Sequence, residues 1–517
     1  MSYAISCHAP RRVVTASKPE SGVCSVHKHH PHRGAAPKAV STWDTLRDHH
    51  SAMPRTTEDH PQASDPRVDL DRVAHLKHRE DAAFLDARPR SLALLDRARR
   101  SMPLGVPMSW MDWLFDHPPI FVESADGAYF TDVDGHRYLD MYMNITVSSA
   151  GHTHPAVVAA AVDRLQRGVQ FGLPTEDAIA VSETLAERWG LPKWQFALSS
   201  TQSVTDVIRL ARIATGRERL LTFEGKYHGH VGETLAIEED GRTVPEYVGI
   251  DAADIARTKV VDWNDLEGVE RALRPGDIAL LIAEPALTNS GIVFPSSTFH
   301  AELRRLTRQV GTLLLVDETQ TLPCAYGGLV RGWGLDPDFV VLGKSLGGGV
   351  PTSAYGMTDD IAALIERQGE SYEVAGSAVD EPAIGGTMFG NALSMAATRA
   401  ALAEVWTPEN HARTQQLAAH LVEGMRAAFD GAGVDWAVYQ LGNRAGFRFS
   451  PTPPTNNVEA GERDIPAVRH LQRVFMANRG VWEFGWWCGP VVSTQATGND
   501  IDFYLSVFSQ FVRDLLG

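Results

Sequence analysis

Between residues 151 and 400 the chain alternates short unbroken apolar runs with stretches whose apolar positions recur every three or four residues. LLTFEG, IALLIAEP, TLLLVDE and FVVLGK are too short to be helices and read as strands buried on both faces. Between two of them Phe299, Leu303, Leu306 and Val310 fall on one helix face. Strands alternating with helices predict an α/β architecture, a mostly parallel sheet wrapped by helices. Upstream, Asp69 to Arg100 reads as charged and helical. FVESADGAYFTDVDGHRYLDM, with turns at Ala125-Asp126-Gly127 and Asp134-Gly135, reads as β-hairpins. From about Ala401, long Ala/Leu-rich helices followed by short strands predict a smaller α+β domain. The first 65 or so residues show no period and few large apolar side chains, and read as a disordered tail. The expected organisation is therefore a tail (1–65), an N-terminal helix and β segment (66–150), a large domain (151–400) and a small C-terminal domain (401–517).

At 517 residues the chain exceeds one ordinary hydrophobic core, which agrees with that division. A net charge of −16 argues against nonspecific nucleic-acid binding, and no apolar run is long enough to span a bilayer. The four cysteines are scattered without CxxC spacing, so a reducing, cytoplasmic setting and no disulfide framework are expected. In the tail, HKHHPH is a metal-binding tract or, preferably, a solvated one. The basic stretch to about Val40 lacks the amphipathic helix of a transit peptide, and an over-extended start explains it equally well. No metal site is expected elsewhere.

Three strands end in polar residues: Lys344 after FVVLG, Asp317 after TLLLV and Glu284 after IALLIA. In a parallel α/β sheet these ends line the ligand crevice. A buried lysine loses its proton readily and attacks carbonyls, although one at a strand end can also snorkel to solvent. In ALSSTQSVTDVIRLARIATG, Val204, Val207, Ile208 and Ala211 mark a helix face, and Ser199-Ser200-Thr201-Gln202 stands at its start. That start is an N-cap, an anion site or both. Tyr227 in FEGKYHGH follows a strand and is placed to stack on a flat ligand. A nucleophilic lysine, a carboxylate, an anion cup and a ring stacker together fit pyridoxal 5′-phosphate.

From about residue 100 onward the chain resembles the class III (subgroup II) pyridoxal-phosphate aminotransferases, and within them the glutamate-1-semialdehyde aminomutase branch. The resemblance rests on SSTQSVTDVIRLARIATGRERLLTFEGKYHGH, IAEPALTNSG, LLVDETQT, LGKSLGGGVP and GGTMFGNALSMAA, in that order over about 300 residues. It implies fold type I, the aspartate-aminotransferase architecture, with sites at a homodimer interface. It also implies roles. Lys344 would form the Schiff base and carry the proton in catalysis, and Asp317 would pair with the pyridine nitrogen. Gln320 would touch the phenolic oxygen, and Tyr227 would cover the ring. Ser200 and Thr201 would bind phosphate, with Thr387 reaching it from the neighbouring subunit. Glu284 joins the cofactor-binding set.

Two departures stand out. The cup that usually reads Ser-Gly-Thr-Glu-Ala is here Ser199-Ser200-Thr201-Gln202-Ser203. The segment Pro103 to Trp113, where the aminomutase carries a carboxylate-reading arginine, has none and offers Met108, Ser109, Trp110, Met111 and Trp113. These residues form an apolar substrate pocket, or they pack the N-terminal segment on the core. Trp482, Trp486 and Trp487 are likewise pocket or core. Arg444 and Arg448 are carboxylate contacts or surface residues. The first expectation is an aminotransferase acting between an amine or amino acid with an apolar or bulky side and a keto acid or aldehyde. The alternative is a pyridoxal-phosphate isomerase, an aminomutase or a racemase/epimerase. A catalytically silent scaffold is disfavoured because both Lys344 and Asp317 are present.

Overall fold

Asp69 caps the first helix, Leu70–Asp86, by accepting the backbone N–H groups of Asp71 at 3.0 Å and Arg72 at 3.2 Å. Pro89 opens the next, Pro89–Ala98, so the predicted helical stretch is two helices with a break where proline forbids continuation. The computed structural model describes residues 65–367, 382–485 and 489–517, all within the unit 52–517. The tail with its histidine cluster, and Trp486 and Trp487, lie outside the described residues; so does the Trp113 side chain.

β1 (Val122–Asp126), β2 (Tyr129–Asp132) and β3 (Arg137–Asp140) form the expected hairpins, with Gly127 and Gly135 at positive φ in their turns. Then come β4 (Lys193–Ala197), β5 (Arg219–Phe223), the hairpin of β6 (Ala236–Glu239) and β7 (Arg242–Pro245), β8 (Thr258–Val261), β9 (Ile278–Ala283) and β10 (Leu313–Asp317). β11 (Phe339–Leu342) and β12 (Ser353–Met357) follow, then the hairpin of β13 (Val438–Leu441) and β14 (Arg444–Phe447), and last β15 (Val481–Trp482).

Seven strands make the central sheet, in the order β4-β12-β11-β10-β9-β5-β8. The pairs β11–β10, β10–β9, β9–β5 and β5–β8 are parallel, and β12 alone runs against its two neighbours. Period-two alternation sends Leu281, Ala283, Leu314, Val316, Val340 and Leu342 into one core, and Leu280, Ile282, Leu315, Phe339 and Val341 into the other. Each such burial contributes about 1.5–3 kcal/mol, which explains the unbroken apolar runs. This is the mostly parallel α/β sheet expected from the sequence, and the carboxyl ends of β9, β10 and β11 lie side by side.

β15 pairs in parallel with β3, joining residues more than 300 apart in sequence into a four-stranded sheet. Its core mixes Val73, Leu139 and Met141 with Leu421, Phe475 and Phe508, so the N-terminal β segment and the C-terminal portion share one interior. After β3 the chain turns through Met143, Asn144, Ile145 and Thr146, all at positive φ (47°, 46°, 52° and 70°). Such a turn costs roughly 1–2 kcal/mol per residue without glycine. Asp140 supports it by accepting from the backbone N–H groups of Tyr142 and Met143. Among the described residues, no helix is long and apolar enough to cross a membrane.

Candidate active site

β11 ends at Leu342, and the chain leaves it through Gly343 into Lys344, whose φ of 47° is left-handed. A Cβ on Gly343 would lie 2.0 Å from Ser200 Oγ, so glycine leaves that hydroxyl its place at the start of the Ser200–Thr215 helix. The lysine is thus fixed to the sheet edge by a strained backbone under the helix N-terminus.

β10 brings Asp317, 4% exposed, to the same edge. Its Oδ2 lies 2.8 Å from His228 Nδ1, and its Oδ1 accepts the Thr319 N–H at 3.0 Å. Burial pushes this carboxyl up, but the bonds from His228 and Thr319 outweigh it and hold the group below the usual range. One strand over, Glu284 accepts from Thr288 Oγ1. Burial lifts its carboxyl to about 6, against the pull of His228, Thr288 and Lys344. Gln320 donates from Nε2 to Asn289 Oδ1 at 3.0 Å.

The helix Ser200–Thr215 opens with a capping box and ends at Gly216 in the left-handed region, as its sequence predicts. Gln202 Oε1 accepts from Ser199 N at 3.0 Å, Ser199 Oγ at 3.1 Å and Leu198 N at 3.2 Å, so this N-terminus is capped without a negative charge. Thr201 Oγ1 accepts the His230 N–H at 3.1 Å, which folds the loop carrying Tyr227 and His228 over the helix start. Gly229, at φ +87°, permits that approach, since a Cβ there would meet Thr201 Oγ1 at 2.2 Å. Tyr227 is half-buried on this loop, and burial together with Glu246 raises its phenol.

Lys344, Asp317, Glu284, Gln320, Ser200, Thr201 and Tyr227 thus all lie on adjoining strand ends, the helix start and the loop packed on it. Thr387 is exposed, and its carbonyl accepts from Gln170 Nε2. Trp110 is half-buried against a cluster containing Phe84, Leu114, Phe115 and Trp482, and Trp482 itself is core. Neither Arg444 nor Arg448 is a surface residue: both are buried on or beside β14. Arg448 Nη2 donates to Ser290 O at 2.7 Å, and only the missing side chain of Gly291 leaves it room.

Three residues went unread in the sequence. His228 stood beside Tyr227 in FEGKYHGH, where only the aromatic was weighed. Thr319 lies inside LLVDETQT and Asn289 inside IAEPALTNSG, and nothing in composition distinguished either.

The site can be tested against the cofactor on its own geometry. His228 Nε2, Glu284 Oε1, Gln320 Oε1 and Asn289 Nδ2 are buried and have no hydrogen-bond partner among the described residues. An unmet buried polar group costs about 1–3 kcal/mol, so four in one place mark where a ligand with polar edge atoms belongs. With a lysine, a charged carboxylate and a helix N-terminus capped without a negative charge beside them, the residues fit pyridoxal 5′-phosphate.

This fold and donor set define a class: the chain belongs to the class-III aminotransferase family, whose model matches residues 114–453. Its cofactor is pyridoxal 5′-phosphate and its fold is type I. The chain is 34% identical over 371 residues to glutamate-1-semialdehyde 2,1-aminomutase of Roseiflexus castenholzii, covering 70% of this chain and 83% of that one. Among solved structures it is similar to a glutamate-1-semialdehyde aminomutase from Pseudomonas aeruginosa PAO1 in complex with PMP. That likeness has 34% identity and a TM-score of 0.81, over 87% of this chain and 99% of the other. An ω-transaminase from Sphaerobacter thermophilus is similar at 27% identity and a TM-score of 0.74, over 83% and 98%.

Proposed function

We propose that the protein is a pyridoxal-phosphate isomerase of the 2,1-aminomutase type, moving an amino group between neighbouring carbons of one small amino aldehyde. The observation that carries this reading is the likeness to aminomutases over most of both chains. It reverses the order of the two reactions expected from the sequence, in which aminotransfer stood first.

The cofactor supplies a carbonyl and an electron-accepting ring. Lys344 Nζ would hold the cofactor and would carry the proton that the reaction moves. Asp317, kept ionised by His228 and Thr319, would hold the ring nitrogen protonated. Ser200, Thr201 and the first N–H groups of their helix would bind the phosphate, Tyr227 would cover the ring, and Gln320, set by Asn289, would meet its phenolic oxygen. Glu284, held by Thr288, lies beside His228.

The working unit is a homodimer in which Thr387 completes the neighbouring site. Supporting it, Val158, Val162 and Leu165 form an exposed apolar stripe on the helix Pro155–Arg167. Phe171, Leu173 and Met388 continue that stripe beside Thr387, where Gln170 joins the two segments. Cys324, buried and free, is consistent with a reducing compartment.

A second reading, aminotransfer from an amine with an apolar side, is favoured by the absence of arginine between Pro103 and Trp113. One experiment separates them. The holoenzyme is given glutamate-1-semialdehyde with no second amino donor or acceptor, and products are followed by NMR. The aminomutase reading expects conversion to the 1-amino-2-oxo isomer. Conversion only when an amine and a keto acid are both supplied would replace it with aminotransfer.

A further inference from the structure

We propose that Ser200 and Thr319 form a hydroxyl link that ties the phosphate end of the cofactor site to Asp317. Thr319, buried at the end of β10, donates from Oγ1 to Ser200 Oγ at 2.8 Å and from its backbone N to Asp317 Oδ1 at 3.0 Å. A hydroxyl has one proton to give. When Thr319 gives its proton to Ser200, the Ser200 proton is left for an acceptor at the helix start, and the Thr319 side chain also acts on Asp317. In that arrangement the chain runs from Thr319 through Ser200 toward an anion, with Thr319 held at its other side by Asp317.

Two neighbours keep the link in place. Gly343 has no side chain, and a Cβ there would strike Ser200 Oγ at 2.0 Å. Gln202 caps the same turn as a neutral amide, so no carboxylate competes with the phosphate for the helix N-terminus. Ser200 is then a phosphate-binding residue and Thr319 a positioning residue. The coupling has a direction: phosphate arriving at Ser200 strengthens the bond it accepts from Thr319, and this steadies the Thr319 N–H on Asp317. The inference rests on the reading that phosphate sits at this helix start, and the test separates the two.

Cofactor-stripped wild type, Ser200→Ala, Thr319→Val, Thr319→Ser and the Ser200→Ala/Thr319→Val double variant are titrated with pyridoxal 5′-phosphate and with pyridoxal, which lacks the phosphate. Thermal melting confirms each is folded; if Thr319→Val is not, Thr319→Ala takes its place. Ser200→Ala is expected to weaken the phosphorylated ligand about 10-fold and pyridoxal hardly at all. Thr319→Val should lose roughly 3- to 10-fold, Thr319→Ser should recover it, and the double variant should be no weaker than Ser200→Ala alone. The pH at which the bound cofactor's visible band changes should move in Ser200→Ala with the phosphorylated ligand only. Additive losses, or an unmoved pH midpoint, overturn the link. Wild type that binds pyridoxal as tightly as its phosphate overturns the phosphate site itself.

Discussion

Asp317 at the end of β10 and Asp132 at the end of β2 are both buried carboxylates, yet the regions around them are built to opposite rules. Asp132 lies where the N-terminal segment meets the C-terminal portion. Its Oδ2 accepts from Tyr138 Oη at 2.7 Å, and its Oδ1 accepts the N–H groups of Asp134 and His136. Arg88 donates to Tyr138 Oη at 2.9 Å and Phe84 O at 2.8 Å, with its guanidinium over the Phe84 ring. That network is closed on itself. Around Asp317, His228, Glu284, Gln320 and Asn289 each keep a buried polar atom without a partner among the described residues. A closed buried network holds a fold together, whereas an open one waits for a ligand. Burial and charge alone do not tell the two apart; the hydrogen-bond accounting does.

If the contrast is right, changes at the sheet edge cost activity and changes at the seam cost stability. The largest effect belongs to Lys344→Ala. The variant should stay folded and lose turnover by on the order of 1,000-fold or more. Borohydride reduction of the wild-type holoenzyme followed by peptide mapping should label Lys344, and a label on another lysine would refute the assignment. Asp317→Asn comes next. It should still bind cofactor but lose roughly 100- to 10,000-fold in kcat, because a neutral partner does not keep the ring nitrogen protonated. Turnover near wild type in that variant would remove Asp317 from its role.

The two regions also differed in how far the sequence revealed them. The edge was legible because its signals are local: an apolar run, then Lys344, Asp317 or Glu284, on strands whose parallel packing follows from strand–helix alternation. The seam was not. β15 joins β3 across the length of the chain, and no window of sequence contains both strands. Trp482 therefore stood undecided between pocket and core until that pairing placed it among Phe115, Phe130 and Tyr138. Arg448 misled for a related reason. A charged residue beside a short strand reads as surface or as a ligand contact, and the structure gives it buried partners in Ser290 O and Phe447 O. The turn at Met143–Thr146 left no trace because tertiary contacts impose its backbone on residues that do not prefer it.

On the seam, Arg88→Leu should lower stability by about 3 kcal/mol, since it breaks a buried pair and leaves Asp132 and Tyr138 short of a donor. Equilibrium denaturation would measure this. Activity per folded molecule should stay within about twofold of wild type, the ordinary range for a change remote from the chemistry. A loss of activity larger than the loss of folded protein would mean the seam and the site are coupled.

Glu284 offers a pH test of the open edge. Its folded carboxyl, at about 6, lies above the usual 4.5, so the folded protein holds this proton more tightly than the unfolded chain. The resulting stability is fully present below about 4.5 and is lost as pH rises through about 6, a change of about 2 kcal/mol. His228, Asp317 and Lys344 are the ionisable groups acting on it. In cofactor-stripped protein, Tm followed from pH 4.5 to 7 should fall more steeply in wild type than in Glu284→Gln, which stays neutral throughout. Equal slopes would assign the titration to another group.

The smallest effect, and the one that bears on where the two regions meet, is expected at Trp110. It is half-buried against the seam's aromatic cluster, so part of its ring contributes to packing and part is exposed. Trp110→Ala should cost about 1 kcal/mol of stability, less than a fully buried aromatic because only part of the ring leaves an apolar contact. Trp110→Arg asks what the open part does. A guanidinium there is unfavourable unless an anionic group arrives to pair with it. Steady-state kinetics on an aromatic amine and on glutamate should then diverge, the amine losing kcat/KM by up to about 10-fold relative to glutamate. A common factor for both substrates would place Trp110 wholly in the seam, and the absence of an arginine from Pro103 to Trp113 would then say nothing about the substrate.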